Sequence, residues 1–462
     1  MIANPQAIGS SSIDSALVSK YNRPAPRYTS YPTALQFRVI DDPESQEAMY
    51  TDSESGGPLS LYFHLPFCKS LCWFCGCTKI ISTDVCLADR YIDYLEKEIA
   101  MVRPKIASDR KAVQLHFGGG SPNFLIPEQI DRLSSLIHDH FEFEEGAEIS
   151  VELDPRTLTK EKVDAFRRMG MNRASMGVQD LNPKVQEAIH RIQPSDMNRQ
   201  AIAWLEEAGI HKLNIDLIYG LPRQTVESFS ETLEEVLEYD PDRLAIFSYA
   251  HVPWSKPAQR ILERNPMPNA QEKVGILERI VEALLDAGYA HIGMDHFAKQ
   301  WDALALAQKE KKMQRNFQGY SLHKDVEICS FGISAISQTD RTYRQNVKEL
   351  ETYYRLLDMG RYPIDKGYLM SRDDSIRRKV IMRLMCDMEL DFEAMSKELD
   401  IDFRDYFRKE IRALVPLERD GLLDLHPGGI KVLTTGRLLI RNVAVAFDAY
   451  FGKGASGFSR AV

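Results

Sequence analysis

The stretch LSLYFHLPFCKSLCWFCGCTKI, residues 59–80, constrains the chain more than any other. It holds four of the seven cysteines, Cys68, Cys72, Cys75 and Cys77, and the first three are spaced C-x-x-x-C-x-x-C. The apolar run 59–65 ahead of them reads as a buried strand, which puts the cysteines in the loop at its C-terminal end. A structural zinc site takes four ligands, usually as two C-x-x-C pairs, and Cys86, Cys329 and Cys386 are isolated. Disulfides are disfavoured, because MIANPQAIGSSSIDS has no basic segment followed by an apolar core and is not a secretory signal. Three thiolates suit an iron–sulfur cluster that ordinarily takes four, with one iron left open to another ligand. An open metal position is the mark of a catalytic site.

Beyond the cysteines the pattern alternates. Apolar, β-prone runs occur at 59–65, 113–117, 148–153, 173–179, 212–219 and 243–250. Between them lie stretches of 3.6-residue periodicity at 86–103, 127–141, 159–169, 195–208 and 225–238, with another at 271–287. Repeated βα units imply a parallel sheet with right-handed crossovers. Six units fall short of the eight in a closed barrel, so the expected fold is an α/β one: an open, partial (β/α)6 barrel. A flat doubly wound sheet is the alternative. Function in either sits where strands end.

Strand-end residues are therefore the candidates. VQLHF runs into Gly118-Gly119-Gly120-Ser121-Pro122, a turn that lacks the Gly-Lys-Ser/Thr of a phosphate loop but allows positive φ and close backbone approach. Glu152 ends the third run and could hold a ribose hydroxyl or an ammonium. Gln179 ends the fourth, and Ala250 and His251 end the sixth. Asp216, the one acid in an apolar fifth run, needs a buried partner.

The 462 residues suit two or three domains. The expected division is an N-terminal arm and linker (1–55), the barrel (56–300), a barrel extension (301–365) and a mainly helical, winged-helix-like C-terminal domain (366–462). In the arm, YNRPAPRYTSYPT is too rich in proline for helix or central strand. It reads either as a surface strap or as a functional segment. KEKKMQRNFQGYS reads as a loop over the barrel mouth, ICSFGISAIS as an added strand, residues 41–58 as a solvated linker, and TTGRLLIRNVAVAFDAYF as a last helix. A net charge of −9 argues against a nucleic-acid partner. No apolar run approaches transmembrane length. A cytoplasmic protein without membrane partners is expected.

C-x-x-x-C-x-x-C after a strand, with Phe74 before its last cysteine, resembles the radical S-adenosylmethionine (SAM) enzymes. The arm YNRPAPRYTSYPT, the C-G-C ending, GGGSP, ELDP, SMGVQD, NIDLIYGLP, YAHVP, GMDHFA, RNFQGY and GRLLIRN together resemble the oxygen-independent coproporphyrinogen III oxidases of heme biosynthesis. This similarity runs from residue 21 to the C-terminal helix. The resemblance implies a [4Fe-4S] cluster on Cys68, Cys72 and Cys75, and two SAM molecules. Tyr62, Gly119, Glu152 and Ile336 would contact the cluster-bound SAM. Phe74, Gly120, Ser121, Gln179, Arg191, Asp216 and Ala250 would contact the second, with Ser121 standing where the family usually has threonine. It further implies a 5′-deoxyadenosyl radical that acts on two propionates of coproporphyrinogen III. A donor such as flavodoxin or ferredoxin, a monomer, and an apolar lumen shielding the radical are also implied. Arg23, Arg27 and Arg315 are candidates for the substrate carboxylates. Heme-chaperone relatives, the nearest rivals, usually lack the arm and the C-G-C ending.

A fourth thiolate would close the iron that SAM needs, so Cys77 is read as a non-ligand. A Cys77→Ser protein is expected to keep the visible absorbance of the reconstituted cluster; its loss would make Cys77 a ligand.

Overall fold

The computed structural model describes residues 15–50 and 56–453, and the parts of the arm, linker and C-terminal expectations that fall on 1–14, 51–55 and 454–462 lie outside them. Six strands neighbour one another in chain order, all parallel: β1 (Leu59–Leu65), β2 (Ala112–Gly119), β3 (Phe143–Leu153), β4 (Arg173–Gln179), β5 (Lys212–Tyr219) and β6 (Arg243–Ser248). Helices α1 (Leu87–Val102), α2 (Pro127–His140), α3 (Lys160–Met169), α4 (Ser195–Glu207), α5 (Val226–Glu238) and α6 (Ala270–Asp286) follow them in turn. Local signals set the helix ends: α5 opens on a Thr225/Ser228 capping box, and α3 stops at Gly170, whose φ is +106°.

Period-two alternation gives the strands two different faces. Leu115 and Phe117 of β2, Val151 of β3 and Ile215 of β5 are buried in the core that packs the helices. Their neighbours Gln114, His116, Ser150, Glu152, Asn214 and Asp216 line a central cavity. Polar and charged side chains therefore make up most of the lining, which corrects the apolar lumen expected: VQLHF and LNIDLIY alternate rather than run uniformly apolar.

The sheet does not stop at six strands. At one edge the hairpin β7 (Tyr289–Gly293) and β8 (His296–Lys299) adds antiparallel to β6. The segment Gln314–Ser321 forms a second hairpin, β9 (Gln314–Asn316) and β10 (Gly319–Ser321). It is not a loop over the mouth. The Ser60 hydroxyl donates to Gln318 Oε1 at 3.3 Å and the Ser321 hydroxyl to Gln114 Oε1 at 3.4 Å. Ser60 and Gln114 stand near the starts of β1 and β2, so the hairpin floors the barrel. At the other edge β11 (Glu327–Phe331) pairs parallel to β1. The antiparallel strands β12 (Ile336–Gln338), β13 (Thr342–Asn346), β14 (Ile364–Leu369) and the short Arg38–Val39 follow.

Three local expectations change. The linker carries a helix, Pro43–Ala48, capped by Asp42 Oδ1, which accepts from the Ser45 amide at 2.7 Å. The arm is interior: Tyr28 and Tyr31 are 1% and 0% exposed. The last helix is broken into Thr434–Leu438, Ile440–Ala444 and a 3₁₀ turn. After α7 (Leu350–Asp358) and α8 (Arg372–Asp387) the C-terminal region is mainly helical, with a small antiparallel sheet of Glu389–Asp391, Leu423–His426 and Gly429–Val432. Among the described residues no helix is long and apolar enough to cross a membrane.

Glu98 on α1 fastens the extension to the barrel. Its buried carboxylate accepts from the Gly332 amide (2.8 Å), the Asn346 side chain (2.6 Å) and the Tyr353 hydroxyl (2.6 Å). Burial raises its pKa from 4.5 to about 7, against those three donors. Between these values the folded chain holds a proton that the unfolded chain has released, so stability falls as pH rises through that window. Glu98→Ala leaves three buried donors unpaired and is expected to cost about 2 kcal/mol or more. Urea unfolding is expected to show this loss at pH 7 and a flatter pH profile between 4.5 and 7.

Candidate active site

The cysteine loop is held over the C-terminal ends of the strands. The Trp73 amide donates to the Ile189 carbonyl at 3.1 Å, and the Trp73 ring stacks on His190 with centroids 4.9 Å apart. Gln259 Nε2 donates to the Phe74 carbonyl at 2.9 Å, and Lys79 Nζ to the Cys75 carbonyl at 3.3 Å. Cys68, Cys72, Cys75 and Cys77 all line the central cavity. Two guanidinium groups address the Cys72 sulfur, Arg156 Nη2 at 3.3 Å and Arg191 Nη1 at 3.5 Å. The Cys75 thiol is pulled below its usual pKa by a hydrogen bond from Cys77 and by Lys79 nearby, while Cys77 is pushed up by the same bond and by burial. Among the described residues no three His, Cys, Asp or Glu side chains gather as ligands of one metal ion. Thiolates that hold separate irons of a cubane stand further apart than ligands of one ion.

The glycine turn after β2 lies directly beneath this loop. Gly119 has φ +113°, and a Cβ there would sit 2.5 Å from the His64 ring. One on Gly120 would sit 2.5 Å from the Pro66 carbonyl carbon. Close packing under the cysteines, beyond any ligand, thus requires glycine. Gln179 is left-handed as well, at φ +71°, where a register shift ends β4.

Two acids line the upper cavity and differ in ionisation. Glu152 Oε2 accepts from the Gly119 amide at 3.2 Å, and Oε1 is 3.3 Å from His116 Nε2. Burial raises its pKa, but His116 and the Gly119 amide outweigh this and keep the carboxyl ionised. Its side chain is 44% exposed, and that exposure is to the cavity. Asp216 accepts from Asn214 Nδ2 (2.8 Å) and the Ser175 hydroxyl (3.2 Å), the partners its burial demands. Burial and the Glu152 charge raise it to about 7. Asp154 is held down at about 2, because Arg191 and Arg156 overcome its burial.

The cavity brings together Cys68, Cys72, Cys75, Phe74, Gly119, Gly120, Ser121, Glu152, Gln179, Arg191 and Asp216. Tyr62, Ala250 and Ile336 are not on its wall. Tyr62 stacks behind His116, with centroids 5.8 Å apart. Ile336 pairs with Gln345 on the extension and accepts the Ser330 hydroxyl at 2.6 Å, and Ala250 follows β6. Arg23, Arg27 and Arg315 are also absent from the wall: Arg23 is exposed, Arg27 pairs with Asp295, and Arg315 lines a separate cavity with Arg378 and Arg383. Sequence reasoning missed His116, Asp154, Arg156, Arg173 and Arg243, all of which line the cysteine cavity. The available signal was position: a charge at the first residue of β4 and β6, and the ELDPR run at the end of β3.

Comparisons with known proteins agree with this geometry. Residues 62–236 match the radical SAM superfamily and residues 370–439 the HemN C-terminal domain. An oxygen-independent coproporphyrinogen III oxidase of Salmonella typhimurium is 46% identical over 97% of this chain and 98% of its own length. The enzyme of that name from Synechocystis is 44% identical over 96% and 97%. The structure of the Escherichia coli coproporphyrinogen III oxidase HemN, described as a radical SAM enzyme, superposes with a TM-score of 0.89 at 44% identity, covering 95% of this chain and 99% of that one. With a parallel partial barrel, three cysteines over its mouth and relatives this similar along nearly all its length, the chain belongs to the oxygen-independent coproporphyrinogen III oxidase family of the radical SAM superfamily.

Proposed function

We propose that this chain oxidatively decarboxylates two propionates of coproporphyrinogen III to vinyl groups without oxygen, giving protoporphyrinogen IX. Convergence of Cys68, Cys72 and Cys75 with Glu152 and Asp216 on one cavity, in a chain of this family, carries the reading. Each propionate loses a hydrogen atom to the radical, carbon dioxide as a free product, and one electron to an external one-electron acceptor. The donor set fits a [4Fe-4S] cluster with SAM: three thiols share one wall, and the buried Arg191 Nε beside them has no partner of its own. When bound, these groups supply the 5′-deoxyadenosyl radical that takes the hydrogen from the propionate β-carbon.

The chain's own residues bind, orient and shield. Cys68, Cys72 and Cys75 hold the cluster, and Cys77 stays a thiol. Arg156 and Arg191 stabilise negative charge on the Cys72 sulfur. Glu152, ionised, offers a carboxylate to an ammonium or to ribose hydroxyls, and Gly119 would contact the same molecule from the adjacent turn. Tyr62, stacked on His116, and Ile336 of β12 would complete the contacts of this first SAM. A second SAM is assigned to Phe74, Gly120, Ser121, Gln179, Arg191, Asp216 and Ala250. Reducing equivalents come one at a time from a carrier such as flavodoxin or ferredoxin, and the chain works as a cytoplasmic monomer.

Reconstituted, reduced protein incubated anaerobically with SAM and coproporphyrinogen III is expected to yield 5′-deoxyadenosine and a tetrapyrrole lighter by two carbon dioxide units and four hydrogens, read by mass spectrometry. Heme binding without either product would support a chaperone instead. Asp216 titrates at about 7, so its charge, and its hold on a cationic ligand, is present above that pH and lost as pH falls through it. SAM affinity is expected to weaken below pH 7, and Asp216→Asn to remove that step while lowering affinity at pH 8; an unchanged profile would take Asp216 out of the site.

A further inference from the structure

Four charged side chains close the lower cavity as a buried quartet. Arg173 Nε meets Glu148 Oε2 at 2.9 Å and its Nη2 meets Asp302 Oδ2 at 3.4 Å. Arg243 Nε meets Asp302 Oδ1 at 2.8 Å and its Nη1 lies 3.8 Å from Glu148 Oε2. The two arginines are 4% and 9% exposed. Both guanidinium groups lower the Glu148 pKa to about 2 against its burial, so Glu148 remains charged. Two charges of each sign make the quartet neutral. The third nitrogen of each guanidinium is left over: Arg173 Nη1 and Arg243 Nη2 are buried without a partner. So is Gln318 Nε2, from the floor hairpin. Arg173, Arg243 and Gln318 all line the cysteine cavity.

All three orphans are donors. A buried N–H without an acceptor costs roughly 1–3 kcal/mol, and a planar group that only accepts, offered to two guanidinium edges, is a carboxylate. We propose that Arg173, Arg243 and Gln318 form a carboxylate subsite on the barrel floor, and that it anchors one carboxylate of the tetrapyrrole while another edge of the ring reacts at the mouth. This rests on the function proposed above. The span is consistent: Arg173 precedes Gly177, the register partner of Asp216, by four residues, roughly 13 Å of strand. A ligand that reaches from this floor to the mouth must span that length and carry an acid at its lower edge. Arg23, Arg27 and Arg315, the arginines nominated by sequence, leave that role open because none reaches this cavity wall.

Binding of coproporphyrin III, the air-stable oxidised analogue, tests the subsite on the full cluster-loaded chain by fluorescence. Its tetramethyl ester, which has the same ring without carboxylates, is the control. Arg243→Gln removes one orphan donor but breaks the quartet. Gln318→Glu leaves the quartet whole and turns a donor towards the ligand into an acceptor, and the melting temperature reports whether each variant folds. Both are expected to weaken coproporphyrin III binding about tenfold, the equivalent of one charge-assisted hydrogen bond, with ester binding unchanged. Equal binding by Gln318→Glu and the parent chain, or equal losses for acid and ester, would overturn the subsite. If the parent chain turns over substrate in either case, the function stands and the floor assignment alone fails. A parent chain that neither binds coproporphyrin III nor forms the vinyl product removes both.

Discussion

An incomplete barrel has an open side, and the segment that packs there cannot hydrogen-bond as a strand. YNRPAPRYTSYPT lacks amide donors at three prolines, yet its carbonyls still need partners once buried. Guanidinium groups supply them. Arg441, 2% exposed, donates Nε to the Pro26 carbonyl at 3.1 Å and Nη2 to the Ala25 carbonyl. Arg315 donates Nε to the Arg27 carbonyl at 3.1 Å, and Arg27 pairs with Asp295 in the turn between β7 and β8. Burial first, and then the Arg27 and Arg315 charges, lower the Arg441 pKa to about 9, with Asp295 opposing. The arm is thus fixed by long, charged side chains from other parts of the chain.

Within the closed lumen, charge is arranged by height. The upper level holds Glu152, ionised, beside Asp216, which burial and Glu152 itself bring to the edge of protonation. Two carboxylates so placed are not equivalent: one offers a permanent charge, and the other gains its charge with pH or with an arriving cation. The lower level is a neutral quartet with surplus donors. Cations are therefore favoured above and acceptors below, the polarity that a cationic cofactor at the mouth and an acidic substrate beneath it would need.

Where sequence alone was informative, the signal was periodic. The six parallel strands, the six following helices, the strand-end positions of Glu152 and Gln179 and the place of Asp216 within β5 all follow from alternation and helical repeat, within a few residues at the ends. Non-periodic segments were misread for physical reasons. KEKKMQRNFQGYS is polar on its surface-like face, and only its Gln318 and Ser321 contacts with β1 and β2 place it on the floor. Burial of the arm depends on Arg441, 415 residues away from Pro26. Arg173 and Arg243 look like ordinary strand-start charges until Glu148 and Asp302, remote in sequence, are brought between them.

Ser121, where relatives were expected to carry threonine, shows how the strand ends act on the cysteines. Its hydroxyl donates to Asn123 Oδ1 at 2.9 Å, and Asn123 in turn accepts the Asp154 amide at 2.9 Å and donates to the Asp154 carbonyl at 2.8 Å. Asp154 orients Arg156 at 2.7 Å and Arg191 at 3.4 Å, the two guanidinium groups that reach Cys72. Arg191 also donates to the Gly177 carbonyl at 2.6 Å, which ties the end of β4 into the same relay. What this path uses of residue 121 is an oxygen, present in serine and threonine alike. The methyl that serine lacks takes no part in it, so the departure at Ser121 leaves the connection from the glycine turn to the cysteine loop intact.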